Sequence, residues 1–400
     1  MEIIRLKDLC TVDITDGTHQ TPTYCKTGFI FLSSKNVTSQ TIDWNDVKYI
    51  PKELHDELHK RVAPQKNDIL LAKNGTTGIA AMVEEDLIFD IYVSLALIRP
   101  NTKIVLPRYL LYAINNPITK RYFDSHLKGI GVPNLHLTHI KETPIVLYEI
   151  PIQQKIVRLL DKVSDLITKR RAQLDKLDLL VKARFVEMFG DPVLNPHGYV
   201  VQSLQSLIDD GVITYHLDGN HGGDYPRNEE FVDSGVPYIG ANCISKGKVN
   251  FRYAKYLTSE RAGKLRKGIA QNGDVLFAHN ATVGPVAVLE TEEPKVILST
   301  SLTAYRCNPN VILPNYLKIY MQSEGFIRQY SEEMKQSTRN QVPITAQKKY
   351  LFLLPPMVLQ TQFNAFVVQT DKSKSTIQRS LDKLEILKKA LMQQYFGGVR

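Results

Sequence analysis

Catalytic signatures are what this 400-residue sequence has least of. It contains no GxxxxGK[ST] phosphate loop and no strand-linked GxGxxG, which excludes the common nucleotide and dinucleotide sites. The [DN]PP[YFW] tetrapeptide of an adenine methyltransferase is missing, and Asn195-Pro196-His197 is not one. No Asp…Glu-x-Lys nuclease trio falls in a strand context. The four cysteines, Cys10, Cys25, Cys243 and Cys307, form no CxxC pair, and the ten histidines are scattered without metal-ligand spacing. No cofactor and no metal are therefore expected, and the thiols read as reduced residues of a cytoplasmic protein. The start, MEIIRLKDL, has no apolar signal core, and no apolar run is long enough to span a bilayer, so no membrane partner is expected.

What is present is enough for two or three domains. Hydrophobic residues make up 43% and charged residues 23%, the balance of a chain that builds cores. The formal charge is +9 and the pI about 9.1, an excess that favours a polyanionic partner, most often nucleic acid. A mildly basic protein with nothing bound carries the same charge, so charge alone leaves both readings open.

The chain is written twice. Residues 153–190 align without gaps onto 360–397, so that QLDKLDLLVKARFVEMFG faces SLDKLEILKKALMQQYFG. Upstream, LPRYL (106–110) faces LPNYL (313–317), and VSLALIRPN (93–101) faces TSLTAYRCN (300–308). NDILLAKNGTTG (67–78) faces GDVLFAHNATVG (273–284), and DGTH (16–19) faces DGNH (218–221). One such match arises by chance, whereas five in the same order indicate an internal duplication. The order is globule, helix, globule, helix, with boundaries at 1–148, 149–190, 191–355 and 356–400.

Both helical segments carry heptads. In the first, Ile156, Val163 and Leu177 fill one seam position, and Leu160, Ile167, Leu174, Val181 and Met188 fill the other, interrupted by Arg170 and Arg184. In the second, Phe363, Ile377, Leu384 and Leu391 alternate with Val367, Leu381 and Tyr395, and Lys374 and Lys388 break the seam. Pro151 and Pro356 stand at the starts, and Gly190 and Gly397-Gly398 close the ends. A 38-residue helix spans roughly 57 Å, too long to bury its stripe on one small globule. The expectation is an antiparallel coiled coil of the two, relating the halves by a pseudo-twofold axis.

Short apolar runs between turn signals predict strands at 29–32, 68–72, 79–83 and 95–100, and again at 236–239, 274–278 and 286–289. One helix is expected after LPRYL and one after LPNYL. The fold class is therefore α+β: two globular domains with mostly antiparallel sheets, joined by two long helices. The DGTH and DGNH pieces read as tight turns rather than active-site loops.

A duplicated globule, each copy followed by a long helix ending in Phe-Gly, resembles the specificity subunits of type I restriction–modification systems. FVEMFGDPVLNPHGY is similar to that family's linker into its second recognition domain. DGNHGGDYPRNEEF followed by GVPYIGAN, and DGTHQTPTY followed by GFIFLSSKNV, resemble the starts of two classes of target-recognition domain. The resemblance implies a non-catalytic subunit whose two domains each read half of a split, asymmetric site in double-stranded DNA. It also implies helices that act as a ruler and dock two methyltransferase subunits carrying S-adenosylmethionine, with motor–nuclease subunits completing the restriction enzyme.

Reading bases needs amide, imidazole, ammonium or guanidinium groups at exposed edges. Three stretches in each globule qualify. The first is the turn after the central strand: Lys73 and Asn74 with Thr76, and His279 and Asn280 with Thr282. A structural turn capped by the asparagine is equally open. The second follows the FIFL and VPYI strands: Lys35 and Asn36 with Ser33 and Ser34, and Asn242. The third precedes each long helix: Lys128, Asn134 and His136, and Ser337, Arg339, Asn340 and Gln341. Arg99 and Arg306 suit a phosphate or an internal salt bridge. The competing readings are a self-contained methyltransferase or nuclease, against which the missing motifs argue, and a coiled-coil scaffold that binds only protein.

Overall fold

The computed structural model describes residues 1–37, 40–128, 133–334 and 340–398. The chain forms two compact units, Met1–Ala172 with Gln378–Arg400, and Gln173–Ile377. Both divisions fall inside the long helices, Ile150–Phe189 and Met357–Phe396, so each unit owns part of each helix.

In the first unit an antiparallel sheet runs in the order Thr15–Asp16, Leu95–Ile98, Ile69–Ala72, Ile79–Met82. Ile69–Ala72 is apolar throughout because both its faces are covered. Ile69 and Leu71 enter one core with Ala80, Ala96 and Ile98, while Leu70 and Ala72 enter a second with Ala81, Leu95 and Leu97. A second sheet, Lys48–Ile50, Phe29–Leu32 and Phe89–Ile91, closes over the second core, its last two strands parallel. The helix Pro107–Ile114 covers the first core and is followed by another, Pro117–Ser125, where one continuous helix was expected. Asn116 makes the break. Its side chain accepts from the Ile118 and Thr119 amides, and Pro117 starts the new helix.

The second unit repeats this plan. Ile213–Asp218, Leu302–Cys307, Val275–Asn280 and Thr282–Val288 form the antiparallel sheet. Val275 and Phe277 point into one core, Leu276 and Ala278 into the other. Val236–Ile239 and Val296–Leu298 are the parallel pair. The architecture is α+β with mostly antiparallel sheets.

The Asp-Gly pieces end strands instead of forming tight turns. A Cβ on Gly17 would collide with the backbone of Ile91 and Tyr92, and one on Gly219 with Leu298 and Ser299. Glycine is required for that close approach, not for a positive φ.

The helices join their globules through buried amides. Gln153 Oε1 accepts from the Leu106 amide at 2.8 Å, and its Nε2 donates to Ile104 and Tyr148 carbonyls at 2.9 and 2.7 Å. Gln360 does the same with Leu313, Val311 and Pro355 at 2.9, 3.0 and 2.9 Å. In the first unit Ile156 and Leu160 share a core with Met392 and Phe396, and Arg171 pairs with Glu385 at 2.7 Å. The first turns of one helix thus meet the last turns of the other. In the second unit Val181, Phe185 and Phe189 pack with Phe363 and Val367, and Lys374, expected to break the seam, pairs with Asp178 at 2.6 Å.

Among the expected seam residues, Ile156, Leu160, Val163, Ile167, Val181, Phe363, Val367 and Leu381 are buried, and Leu174, Leu177, Ile377, Leu384 and Leu391 are half-buried. Near each helix end the buried row moves on by one residue. Phe189 is covered where Met188 was expected, and Met392 and Phe396 where Leu391 and Tyr395 were. The period of 3.6 residues per turn drifts from a strict heptad and accounts for this shift.

Candidate nucleic-acid interface

The three polar stretches of each globule meet along one edge. In the first unit Ser94 ties two of them together: its carbonyl accepts from the Lys73 amide and its Oγ from the Ser34 amide, both at 2.9 Å. Leu135 N–H donates to the Lys73 carbonyl at 2.8 Å, and Gly75 N–H to Pro133 at 3.1 Å, bridging Asn74 to Asn134. Asn134 in turn exchanges two backbone bonds with Lys128. In the second unit Ser301 holds the His279 and Ala241 amides at 3.0 and 2.8 Å. Val342 N–H donates to His279 at 2.8 Å, and Asn280 bridges to Gln341. Asn340 Nδ2 donates to the Ala281 carbonyl at 2.8 Å. At this turn Gly75 has φ +75 and its counterpart Ala281 has φ 64, a left-handed conformation that strains a residue with a Cβ.

The candidates differ in what they present. Lys35, Lys128, His136, Asn242 and Asn340 are exposed, and Asn74, Asn134, Asn280 and Gln341 are half-buried. Asn36, Lys73 and His279 are buried. Ser337 and Arg339 lie outside the described residues. Asn36 caps its loop, accepting from Ser33 N–H at 2.9 Å and donating to the Asp43 and Asp46 carbonyls. Lys73 Nζ pairs with Asp16 at 3.1 Å. His279 Nδ1–H donates to the Val342 carbonyl at 2.9 Å, and burial pushes its pKa down. Beneath it, His216 donates to Gln347 Oε1 at 3.2 Å, the oxygen that also accepts from Tyr305 at 2.6 Å. Burial lowers the His216 pKa to about 4. The Oδ1 atoms of Asn74 and Asn134 meet no donor among the described residues.

Arg99 and Arg306 form internal salt bridges. Each guanidinium makes two bonds to one carboxylate, Arg99 to Asp68 at 2.8 and 2.7 Å and Arg306 to Asp274 at 2.8 Å twice. Sequence reasoning missed Ser94 and Ser301, although both stand inside the aligned VSL and TSL pieces, and it missed Asp16 as the partner of Lys73. It also treated the histidines as scattered. Among the described residues, His55, His59 and Asp90 form one metal-competent group, apart from this edge. The described residues of the edge offer amides, two ammonium groups and an imidazole, groups that hydrogen-bond to base edges.

Residues 1–178 match the type I restriction modification DNA specificity domain family. The chain is thus similar, over its first 178 residues, to the DNA specificity domain of type I restriction–modification systems. It is 20% identical over 281 residues to the type I restriction enzyme MjaVIII specificity subunit of Methanocaldococcus jannaschii, which covers 68% of this chain and 65% of that protein. Over 138 residues it is 28% identical to the EcoBI specificity subunit of Escherichia coli, covering 34% of this chain and 29% of that one. The chain therefore spans less than two thirds of either relative. A crystal structure of the type I restriction–modification S subunit from M. genitalium aligns over 99% of this chain and 96% of that one, with a TM-score of 0.58 and 13% identity. A chain from a type I system solved for its complex assembly and conformational transition aligns over 99% and 97%, with a TM-score of 0.55 and 18% identity. These two likenesses concern the fold. Among the described residues no helix is long and apolar enough to cross a membrane.

Proposed function

We propose that the chain is the non-catalytic DNA-specificity subunit of a type I restriction–modification enzyme, working in the cytoplasm. Each globular domain reads one half of a bipartite, asymmetric target in double-stranded DNA. The two long helices, paired as an antiparallel coiled coil, set the unread spacer and dock two methyltransferase subunits, and motor–nuclease subunits complete the enzyme. The observation that carries this reading is the polar edge, built twice on one backbone plan with different side chains. One copy presents Lys35, Asn74, Lys128, Asn134 and His136, the other Asn242, Asn280, Asn340 and Gln341, with Ser337 and Arg339 between the described residues. A common frame with divergent donors is what reading two unlike half-sites requires. Lys73, Asn36 and His279 stiffen the edge from within.

Exchanging residues 1–148 for the matching domain of another specificity subunit tests the reading. The expected outcome is a methylated word with one half changed and the other kept. A change in both halves, or in neither, defeats it.

A further inference from the structure

We infer that the first recognition domain holds a divalent transition-metal ion, zinc by its donor chemistry, on His55, His59 and Asp90. The two histidines lie one turn apart on the helix Lys52–Arg61 and so share a face. Asp90 sits in the middle of the strand Phe89–Ile91 beneath them. His55 Nδ1 is 2.7 Å from Asp90 Oδ2, and His59 Nδ1 is 3.2 Å from Asp90 Oδ1. One donor atom from each residue falls within 4.8 Å of the others. The Phe29 ring stacks on His55 at 3.7 Å, only 7° from parallel, and fixes its orientation.

Two observations separate this group from an ordinary polar contact. The first is charge. The Asp90 side chain is 1% exposed, and among the described residues only the two imidazoles, and no lysine or arginine, pair with it. A buried carboxylate needs compensation, which the imidazoles give through hydrogen bonds and which a cation bound between the three side chains would give directly.

The second is the other half of the chain. Asp90 pairs in register with Phe31, and the same register pairs Ile297 with Tyr238. There Ile297 takes the place of the carboxylate, in one cluster with Ala262, Leu265 and Tyr238. The fold thus forms without a carboxylate or an imidazole at this place, and the first domain departs from that solution with three zinc-type ligands together. Two imidazoles and a carboxylate are an N2O donor set for zinc, and the solvent-facing side of His59, 31% exposed, leaves room for water as the fourth ligand. The ion would pin the helix to the strand.

The test uses the full chain without an affinity tag, stripped by chelator and titrated with cobalt(II) at micromolar concentration. We expect one equivalent to bind with the visible absorption of a four-coordinate N/O site, zinc to displace it, and chelation to lower the melting temperature reversibly. His59→Ala, at the partly exposed ligand, should abolish the absorption while circular dichroism shows a folded chain. A wild-type chain that shows no cobalt band and melts alike with zinc and with chelator overturns the proposal, leaving a hydrogen-bonded carboxylate–imidazole cluster. A band undiminished in His59→Ala overturns it too.

Discussion

Lys73 and Asp16 form an ion pair at 3.1 Å with each side chain only 7% exposed. His19, also 3.2 Å from Asp16, is 70% exposed and cannot replace the ammonium as a buried cation. Lys73→Met should therefore destabilise the first unit by roughly 3–5 kcal/mol, because it strands a buried carboxylate. The double variant Lys73→Met, Asp16→Asn should recover much of that loss in urea unfolding. Equal losses in the single and double variants would show that the pair is not what stabilises the edge.

Acid should weaken the second unit selectively. The His216 pKa lies at about 4 in the folded chain because of burial, below its ordinary 6.5. The unfolded state therefore binds the proton more readily between these values. The stability this histidine contributes is full above pH 6.5 and is lost as pH falls toward 4, at about 1.4 kcal/mol per pH unit. His279, lowered in the same direction, adds to the slope. Unfolding midpoints at pH 7 and pH 5 measure it, and His216→Gln should flatten the dependence.

Ala281→Gly should stabilise the second unit by about 1 kcal/mol, since it removes a left-handed alanine where the first copy already has Gly75. Thermal melting of the two chains decides the sign.

Gln341→Ala should weaken specific DNA binding by roughly 1–3 kcal/mol if the amide contacts a base edge. Binding to duplexes of several sequences distinguishes the cases. A uniform loss marks a phosphate contact, and a loss confined to the cognate word marks a reader.

Four residues inserted in each long helix, after Ala172 and after Ile377 where the two units divide, add one turn, about 6 Å, to each helix. At 3.4 Å per base pair the methylated word should gain about two unread positions between unchanged halves. Methylome sequencing reads the result. An active variant with its original spacing would show that the helices do not set the distance.

Strands were legible wherever both faces are covered, because runs such as Ile69–Ala72 are apolar throughout and bounded by turns. The long helices were legible from their period. Their final contacts were not, since the choice of Phe189 over Met188 depends on accumulated helical drift. The polar stretches were found by composition, but composition does not distinguish an outward lysine from one facing Asp16. That difference depends on a partner 57 residues away in the chain. The same limit hid Asp90 from His55 and His59, which adjoin it only through a strand pairing.

The joint made by Gln153 and Gln360 has a consequence for how such chains diversify. Each amide grips only main-chain groups, and every backbone offers those whatever its side chains are. Mutation at the polar edge can therefore proceed without altering the groups that these glutamines hold. On the proposed function, recombination that keeps the apolar residues around Ile156 and Leu160 could mount a different reader on the same spacer, because the glutamine grip itself asks only for main-chain groups.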